Sequence, residues 1–225
     1  QPLGYLGIDV SQKEVTNAGY NLAIDYPRIN VIGVVGDFYQ IENEDLEQWL
    51  PNSVPRAAFF PGSTIGNFEP DKAVSFLKRL GKSIGQNQFA IIGIDLKKRT
   101  EILNLAYNDP EGYTKDFNLN VLQRLNRDYN SDFDLTKFKH RAFYNEEAGR
   151  VEMHLVSIAN QMVSLGGDIF KFKKGETIHT ENSYKYSRKS FSSLVQAADF
   201  AIEAFFTDTE TYFAVAVIKF SPQKT

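Results

Sequence analysis

The densest run of chemistry-bearing residues in this 225-residue sequence is Phe59-Phe60-Pro61-Gly62-Ser63-Thr64-Ile65-Gly66-Asn67-Phe68. An apolar, strand-like segment runs into Pro-Gly, and a small hydroxyl-rich loop follows before a helix can start at Pro70. Glycine lets backbone approach a ligand closely, and Ser63, Thr64 and Asn67 offer donors and acceptors that can be oriented. The Gly-Lys-Ser/Thr ending of a phosphate-binding loop is missing. Residue types alone leave open a ligand-lining loop or a structural turn. Three acids, Asp9, Asp37 and Asp95, each close an apolar run. Open parallel sheets bind ligands at the carboxyl ends of their strands. Asp9 is placed there to accept from ribose hydroxyls. Asp37-Phe38 suits an adenine, with a carboxylate for the exocyclic amine and a ring to stack on the base. Acids at strand ends also cap helices or face water. His140, His154 and His179 are too scattered to read as a metal cluster, and are expected to be structural or surface residues.

These residues need elements to hold them. Leu6–Val10 reads as a short buried strand, followed by Ser11 as helix N-cap with Glu14 completing a capping box. The helix runs to about Tyr26 and stops at Pro27. Asn30–Asp37, Arg56–Phe60 and Phe89–Ile94 read as further strands. Asp71–Leu80 is a helix with apolar residues at Ala73, Phe76, Leu77 and Leu80. Strand and helix alternating at this pace predict right-handed crossovers and a parallel sheet. The middle changes character. Glu101–Tyr107 and Thr114–Asn126 are helical, and Phe138–Ser183 is strand-rich, with turns at residues 146–149, 166–167 and 174–175. A helix at Lys189–Ala198 and strands at Phe200–Phe206 and Tyr212–Phe220 return to the α/β pattern. The prediction is one α/β core, residues 1–97 and 186–225, interrupted by a mixed α+β insertion at 98–185. Glu44-Asp45-Leu46-Glu47 reads as a solvated face or helix start, with Trp49 as local packing.

Composition narrows the function classes. A net charge of −3 argues against non-specific nucleic-acid binding. The absence of cysteine removes disulfides, thiolate metal sites and thiol nucleophiles. The longest apolar runs are strand-sized, so no membrane span is expected. No signal-peptide pattern opens the sequence, which makes the cytoplasm the expected address.

The loop at 59–68 closely resembles the signature of the histidine-specific methyltransferases that begin ergothioneine synthesis. Ile8-Asp9-Val10-Ser11, Gly36-Asp37-Phe38, Gly93-Ile94-Asp95-Leu96, Ala106-Tyr107-Asn108-Asp109, Glu152–Ser157 and His179–Tyr186 resemble that family too, in its order and spacing. The resemblance implies a class I, Rossmann-like S-adenosylmethionine-dependent methyltransferase that acts on the α-amino group of L-histidine, up to the trimethylated betaine. It implies cofactor contacts at Asp9, Asp37, Phe38 and Gly62. Asn67 matches the residue that binds the substrate amine, and Tyr107 a contact to the amino-acid head group; these two would carry catalysis. Glu181 and Ser183 match the pair that grips the imidazole ring, with Met153 in the pocket wall. A carboxylate and a hydroxyl can read the N–H and the bare nitrogen of an imidazole. No metal is implied. A relative acting on another amine, or a non-catalytic remnant, are the competing readings.

One part of the family pattern has no counterpart. A class I methyltransferase opens with a strand and an acid-x-Gly-x-Gly loop around the methionine part of the cofactor, and Pro2-Leu3-Gly4-Tyr5 is no substitute. In the usual strand order that strand lies between those ending at Asp9 and Phe60. The expectation is an N-terminally truncated chain with a gap in its sheet, completed by the missing segment or a partner chain.

Overall fold

A computed structural model describes residues 2–40, 46–50 and 53–222. In chain order the elements are β1 (Gly4–Asp9), α1 (Gln12–Asp25), β2 (Asn30–Val35), β3 (Ala57–Phe60), α2 (Pro70–Ile84), β4 (Phe89–Asp95), α3 (Thr100–Tyr107) and α4 (Tyr113–Tyr129). They continue with β5 (Phe138–Asn145), β6 (Arg150–Ser157), β7 (Gln161–Leu165), β8 (Asp168–Phe172), β9 (Thr177–Tyr184), α5 (Arg188–Ala197), β10 (Phe200–Thr207) and β11 (Phe213–Phe220).

The largest sheet has the order β10-β11-β4-β3. β3 and β4 are parallel, while β11 and β10 join antiparallel. Strand alternation puts Ala90, Ile92 and Ile94 of β4 and Ala214, Ala216 and Ile218 of β11 on one face. Phe76 and Leu77 of α2 and Phe191 and Val195 of α5 cover that face and make the main core. Burying each large apolar side chain there stabilises the fold by about 1.5–3 kcal/mol. The opposite face is poorly covered: Phe59 and Phe206 are 67% and 62% exposed, and Val215 is exposed too.

β1 and β2 form a separate two-stranded parallel sheet, in register from Gly4↔Asn30 to Asp9↔Val35. Among the described residues β1 pairs only with β2, and β3 only with β4, so one edge of each lacks a strand partner. The unit from β1 through β2 contains no buried residue, which corrects the expectation of a buried strand at Leu6–Val10. Among the described residues its apolar side chains pack mainly on α1 and on each other. The capping box is corrected as well. Ser11 Oγ accepts from Glu14 N at 3.4 Å, but the Ser11 amide donates to Asp9 Oδ1 at 2.8 Å. Of Glu44-Asp45-Leu46-Glu47, the first two lie outside the described residues. Leu46 is buried rather than solvated, and its carbonyl accepts from the Trp49 and Leu50 amides, a single helical turn.

The chain leaves the large sheet at Leu96 and returns beside it at Tyr186, where the two form a parallel bridge. Between them, β5-β6-β9 form an antiparallel sheet with the β7–β8 hairpin alongside. Glu69, just before α2, ties this sheet to the core. Its carboxylate accepts from Asn182 Nδ2 at 2.8 Å and Tyr184 Oη at 2.5 Å, and pairs with Arg150 at 3.2 Å. No described helix is long and apolar enough to cross a membrane.

Candidate active site

The loop after β3 is shaped by close approaches that only glycine permits. A Cβ on Gly93 of β4 would lie 1.8 Å from the Pro61 carbonyl oxygen, so Gly93 lets the Pro61-Gly62 turn cross the sheet. A Cβ on Gly66 would meet the Tyr184 carbonyl oxygen at 2.8 Å, and its absence lets the 3₁₀ turn Thr64–Asn67 dock on β9. Ser63 adopts φ 57°, a left-handed conformation costly for a residue with a Cβ. Its hydroxyl accepts from the Asp95 amide at 2.8 Å, pinning the loop to the end of β4. Asn67 is exposed at the far end of this turn.

The loop forms one wall of a cavity of about 400 Å³, lined by Gly62, Ser63, Thr64, Asn67, Asp95, Tyr107, Ser183, Lys185 and Phe213. That is the size of a small-molecule site. Of the cofactor and substrate residues that the resemblance implies, Gly62, Asn67, Tyr107 and Ser183 line it, together with Ser63, Thr64 and Asp95 from the loop and strand-end readings. Tyr107 ends α3, and that helix is fixed by two asparagines that pair with the edge of β5. Asn104 Oδ1 accepts from the Tyr144 amide at 2.7 Å, while Asn108 bonds both the amide and the carbonyl of Ala142. His140 supports the Tyr107 backbone from below, bonding its carbonyl at 2.9 Å and Asn118 at the other ring nitrogen.

A buried ammonium organises the floor. Lys185 is 3% exposed and lies 2.7 Å from Asp95 Oδ2. It donates to Tyr107 Oη at 2.9 Å and to Ser183 Oγ at 2.8 Å. Tyr107 Oη also donates to Ser183 Oγ at 2.8 Å. Asp95 carries a second cation, Lys98, at 2.5 Å. Lys185 was not singled out from sequence. It stands inside the conspicuous run His179–Tyr186, but alternating Lys and Tyr residues read as easily as a solvated strand.

Glu181 lies two residues before Ser183 on β9, hence on the same face. Register pairs it with Met153 and pairs Ser183 with Val151. Met153 is 2% exposed, packed with Leu103, Ala142 and Val151 beneath the site. No described residue donates a hydrogen bond to the Glu181 carboxylate; burial pushes its pKa up, only partly offset by the charge of Lys185.

The remaining cofactor candidates lie outside this cavity. Asp9 is exposed at the end of β1, with Oδ1 taken by the Ser11 amide. Asp37 accepts from Gln40 Nε2 at 2.8 Å and the Tyr39 amide at 2.9 Å, which together hold its carboxyl below the usual range. The Phe38 ring packs against Phe60, Phe68 and Phe76, the first and last edge-on.

Two of the histidines are not scattered in space. A register shift between Met153 and His154 sets His154 opposite His179, on the face of the sheet away from the cavity. Their rings stack at 4.4 Å between centroids, and Glu152 Oε2 lies 3.1 Å from His154 Nε2. One ligand atom from each of the three falls within 4.8 Å of the others. The rings are within 17° of parallel, so their in-plane lone pairs run side by side rather than converging on a point. The other Glu152 oxygen is held by Arg150 and Asn145 at 3.0 Å each. Burial alone would raise this carboxyl, but the hydrogen bonds from His154, Arg150 and Asn145 outweigh it and lower its pKa.

Solved structures place the fold in a class. The chain aligns over 97% of its length with an S-adenosylmethionine-dependent methyltransferase from Clostridium acetobutylicum (TM-score 0.52, 9% identity, 76% of that chain). It aligns over 96% with the CcbJ methyltransferase from Streptomyces caelestis (TM-score 0.51, 11% identity, 74% of that chain). At these identities the likeness concerns the fold alone, which is the Rossmann-like class I methyltransferase fold. Sequence is more specific. The family model described as histidine-specific methyltransferase, SAM-dependent, matches residues 1–220, and the chain belongs to that family. It is 36% identical over 184 residues to histidine N-alpha-methyltransferase of Mycolicibacterium smegmatis, covering 81% of this chain and 56% of the relative. It is 31% identical over 215 residues to histidine N-alpha-methyltransferase of Mycobacterium tuberculosis, covering 95% and 65%. Ergothioneine biosynthesis protein 1 of Schizosaccharomyces pombe is 25% identical over 218 residues, 95% of this chain and 28% of the relative. The chain thus spans 56% and 65% of the length of the two histidine N-alpha-methyltransferases.

Proposed function

We propose that this chain forms the bulk of an enzyme that methylates the α-amino nitrogen of L-histidine, up to the trimethylated betaine, with S-adenosylmethionine as donor. The observation that carries the reading is the meeting of Asn67, Tyr107 and Ser183 at one cavity, with Glu181 two residues from Ser183 on the same strand face. In this reading Asn67 orients the substrate amine and Tyr107 holds the amino-acid head group. Glu181 and Ser183 face the two ring nitrogens, above a floor that includes Met153. Residues 98–185 are then the substrate-binding insertion, and residues 1–97 and 186–225 the cofactor core, in a cytoplasmic enzyme.

The residues present fit the cofactor in part. Asp9 is solvent-accessible, and among the described residues only one of its carboxylate oxygens has a partner, which leaves the other for ribose hydroxyls. A Cβ on Gly62 would meet nothing nearer than Thr64 Oγ1 at 3.6 Å, so that backbone is open to a ligand. Asp37 and Phe38 would serve the adenine end, with Gln40 yielding the Asp37 carboxylate. Bound S-adenosylmethionine supplies an electrophilic methyl group. The chain's own part is alignment: Asn67 directs the lone pair of a neutral amine along the line of displacement, and the ring and head-group contacts hold the rest still. We further infer that an additional strand, carrying the Gly-rich turn, pairs with the free edges of β1 and β3. It would come from residues outside this sequence or from a partner chain. The bare edges and the exposed Phe59, Phe206 and Val215 support this.

The test is turnover of an amine panel by the full-length protein with S-adenosylmethionine. Histidine should exceed phenylalanine in kcat/KM by at least about 100-fold, because phenylalanine leaves Glu181 and Ser183 unpaired. Equal or better turnover of another amine would overturn the choice of histidine.

A further inference from the structure

The hydrogen-bond arithmetic of the cavity floor carries a consequence for the substrate ring. Lys185 Nζ is an ammonium, with three donors and no acceptor. One N–H goes to Asp95 Oδ2 at 2.7 Å, and the other two go to Tyr107 Oη and Ser183 Oγ. Ser183 Oγ also receives the Tyr107 proton. With Tyr107 as the donor of that pair, both acceptor positions of the Ser183 hydroxyl are filled and its own proton remains to offer. Tyr107 is constrained in the same sense, because its oxygen accepts from Lys185 and its proton must point elsewhere. The neighbouring Glu181 carboxylate is its complement, since no described residue donates to it.

We infer that Lys185 is a specificity-determining positioning residue. By filling the acceptor positions of Ser183 it makes that hydroxyl an obligate donor. Beside the Glu181 acceptor, the site then reads one neutral tautomer of a five-membered ring, with an N–H facing Glu181 and a bare nitrogen facing Ser183. The inference rests on histidine being the substrate and adds the reason why the ring is read in one orientation and protonation state. The burial of Lys185 supports it: an ammonium 3% exposed, clamped by Asp95, cannot swing away to release the two hydroxyls.

The experiment compares kcat/KM for histidine, pyrrolylalanine (ring N–H, no bare nitrogen) and thiazolylalanine (bare nitrogen, no N–H). The full-length protein and its Lys185→Met variant are measured side by side. In the variant the Ser183 proton can turn to Tyr107 Oη, so an analogue without a bare nitrogen no longer leaves a donor unpaired, and the preference for histidine over pyrrolylalanine should fall about tenfold. The preference over thiazolylalanine, set by Glu181, should stay. Parallel losses on all three substrates would reduce Lys185 to a structural residue and overturn the inference. Lys185→Met with Asp95→Asn removes the carboxylate that would otherwise keep only Lys98 as its partner, and serves if the single variant does not fold. Failure of the unmodified protein to methylate histidine contradicts the proposed function and this inference together. Turnover with unchanged discrimination contradicts the inference alone.

Discussion

Glu181 is half-buried and takes no hydrogen bond from the described residues, an arrangement unfavourable to the folded chain and useful for gripping a ring N–H. Its pKa is raised, so the folded state favours the protonated form. That contribution is present in full below the unfolded value of about 4.5 and is lost as pH rises through the raised folded value. At neutral pH the ionised side chain therefore costs stability. Glu181→Gln should raise the Tm of the ligand-free protein at pH 7, with the gain vanishing at and below about pH 4.5, while histidine binding weakens. Thermal melts across that pH range check this, and a Tm equal to or below that of the unmodified protein at pH 7 would contradict it. At this scale the loop motif singled out Asn67 and the family resemblance Tyr107 and Ser183, and all three line one cavity. The sequence was silent on Lys185, whose burial depends on the distant bridge between Leu96 and Tyr186 and on the charge of Asp95. Asp95 itself looked available to a ligand, yet its carboxylate is held by two lysines.

Helix α3 reaches the site only because its polar face substitutes for a strand. β5 is an edge strand, and Asn104 and Asn108 satisfy the backbone groups of Tyr144 and Ala142 that a neighbouring strand would have paired. Tyr107 stands next to Asn108, so the same bonds aim its phenol at Lys185 and Ser183. Asn108→Ala should cost about 1 kcal/mol, since water reaches part of the vacated edge. It should raise KM for histidine more than it lowers kcat; denaturant melts and steady-state kinetics read both effects, and an unchanged KM would show that the zipper does not position Tyr107. Element positions were legible from apolar periodicity and turn residues, from Ser11 at the start of α1 to the Gly166-Gly167 hairpin. The register shift in β6–β9 was not, because alternation carries no sign of where an extra residue enters a strand. That shift is what stacks His154 on His179.

Across the molecule, packing is uneven. The face of the large sheet under α2 and α5 holds the main core, whereas the unit from β1 through β2 buries no residue. Amide hydrogens of Gly4–Val35 should exchange orders of magnitude faster than those of β4 and β11 when this chain is studied alone. Mass-spectrometric exchange resolves the two regions, and equal protection would contradict the picture of a weakly attached β1–β2 unit. Sequence alternation predicted the parallel pairing of β1 with β2 and of β3 with β4, while the class I topology was implied by the family resemblance. Alternation could not predict that Leu6 and Ile8 stay half-exposed, because burial depends on which strands lie alongside. We propose one site across these elements: a cavity floored by Lys185, walled by the loop at Gly62–Asn67 and lined by Ser183, with Glu181 two residues away on the same strand face, that holds histidine for methyl transfer. Its most direct test is the mass of histidine incubated with S-adenosylmethionine and the full-length protein. The account predicts stepwise gain of one, two and three methyl groups, abolished by Asn67→Ala and by Glu181→Ala. Unchanged histidine mass with the folded, unmodified protein, or full activity retained in both variants, would contradict it.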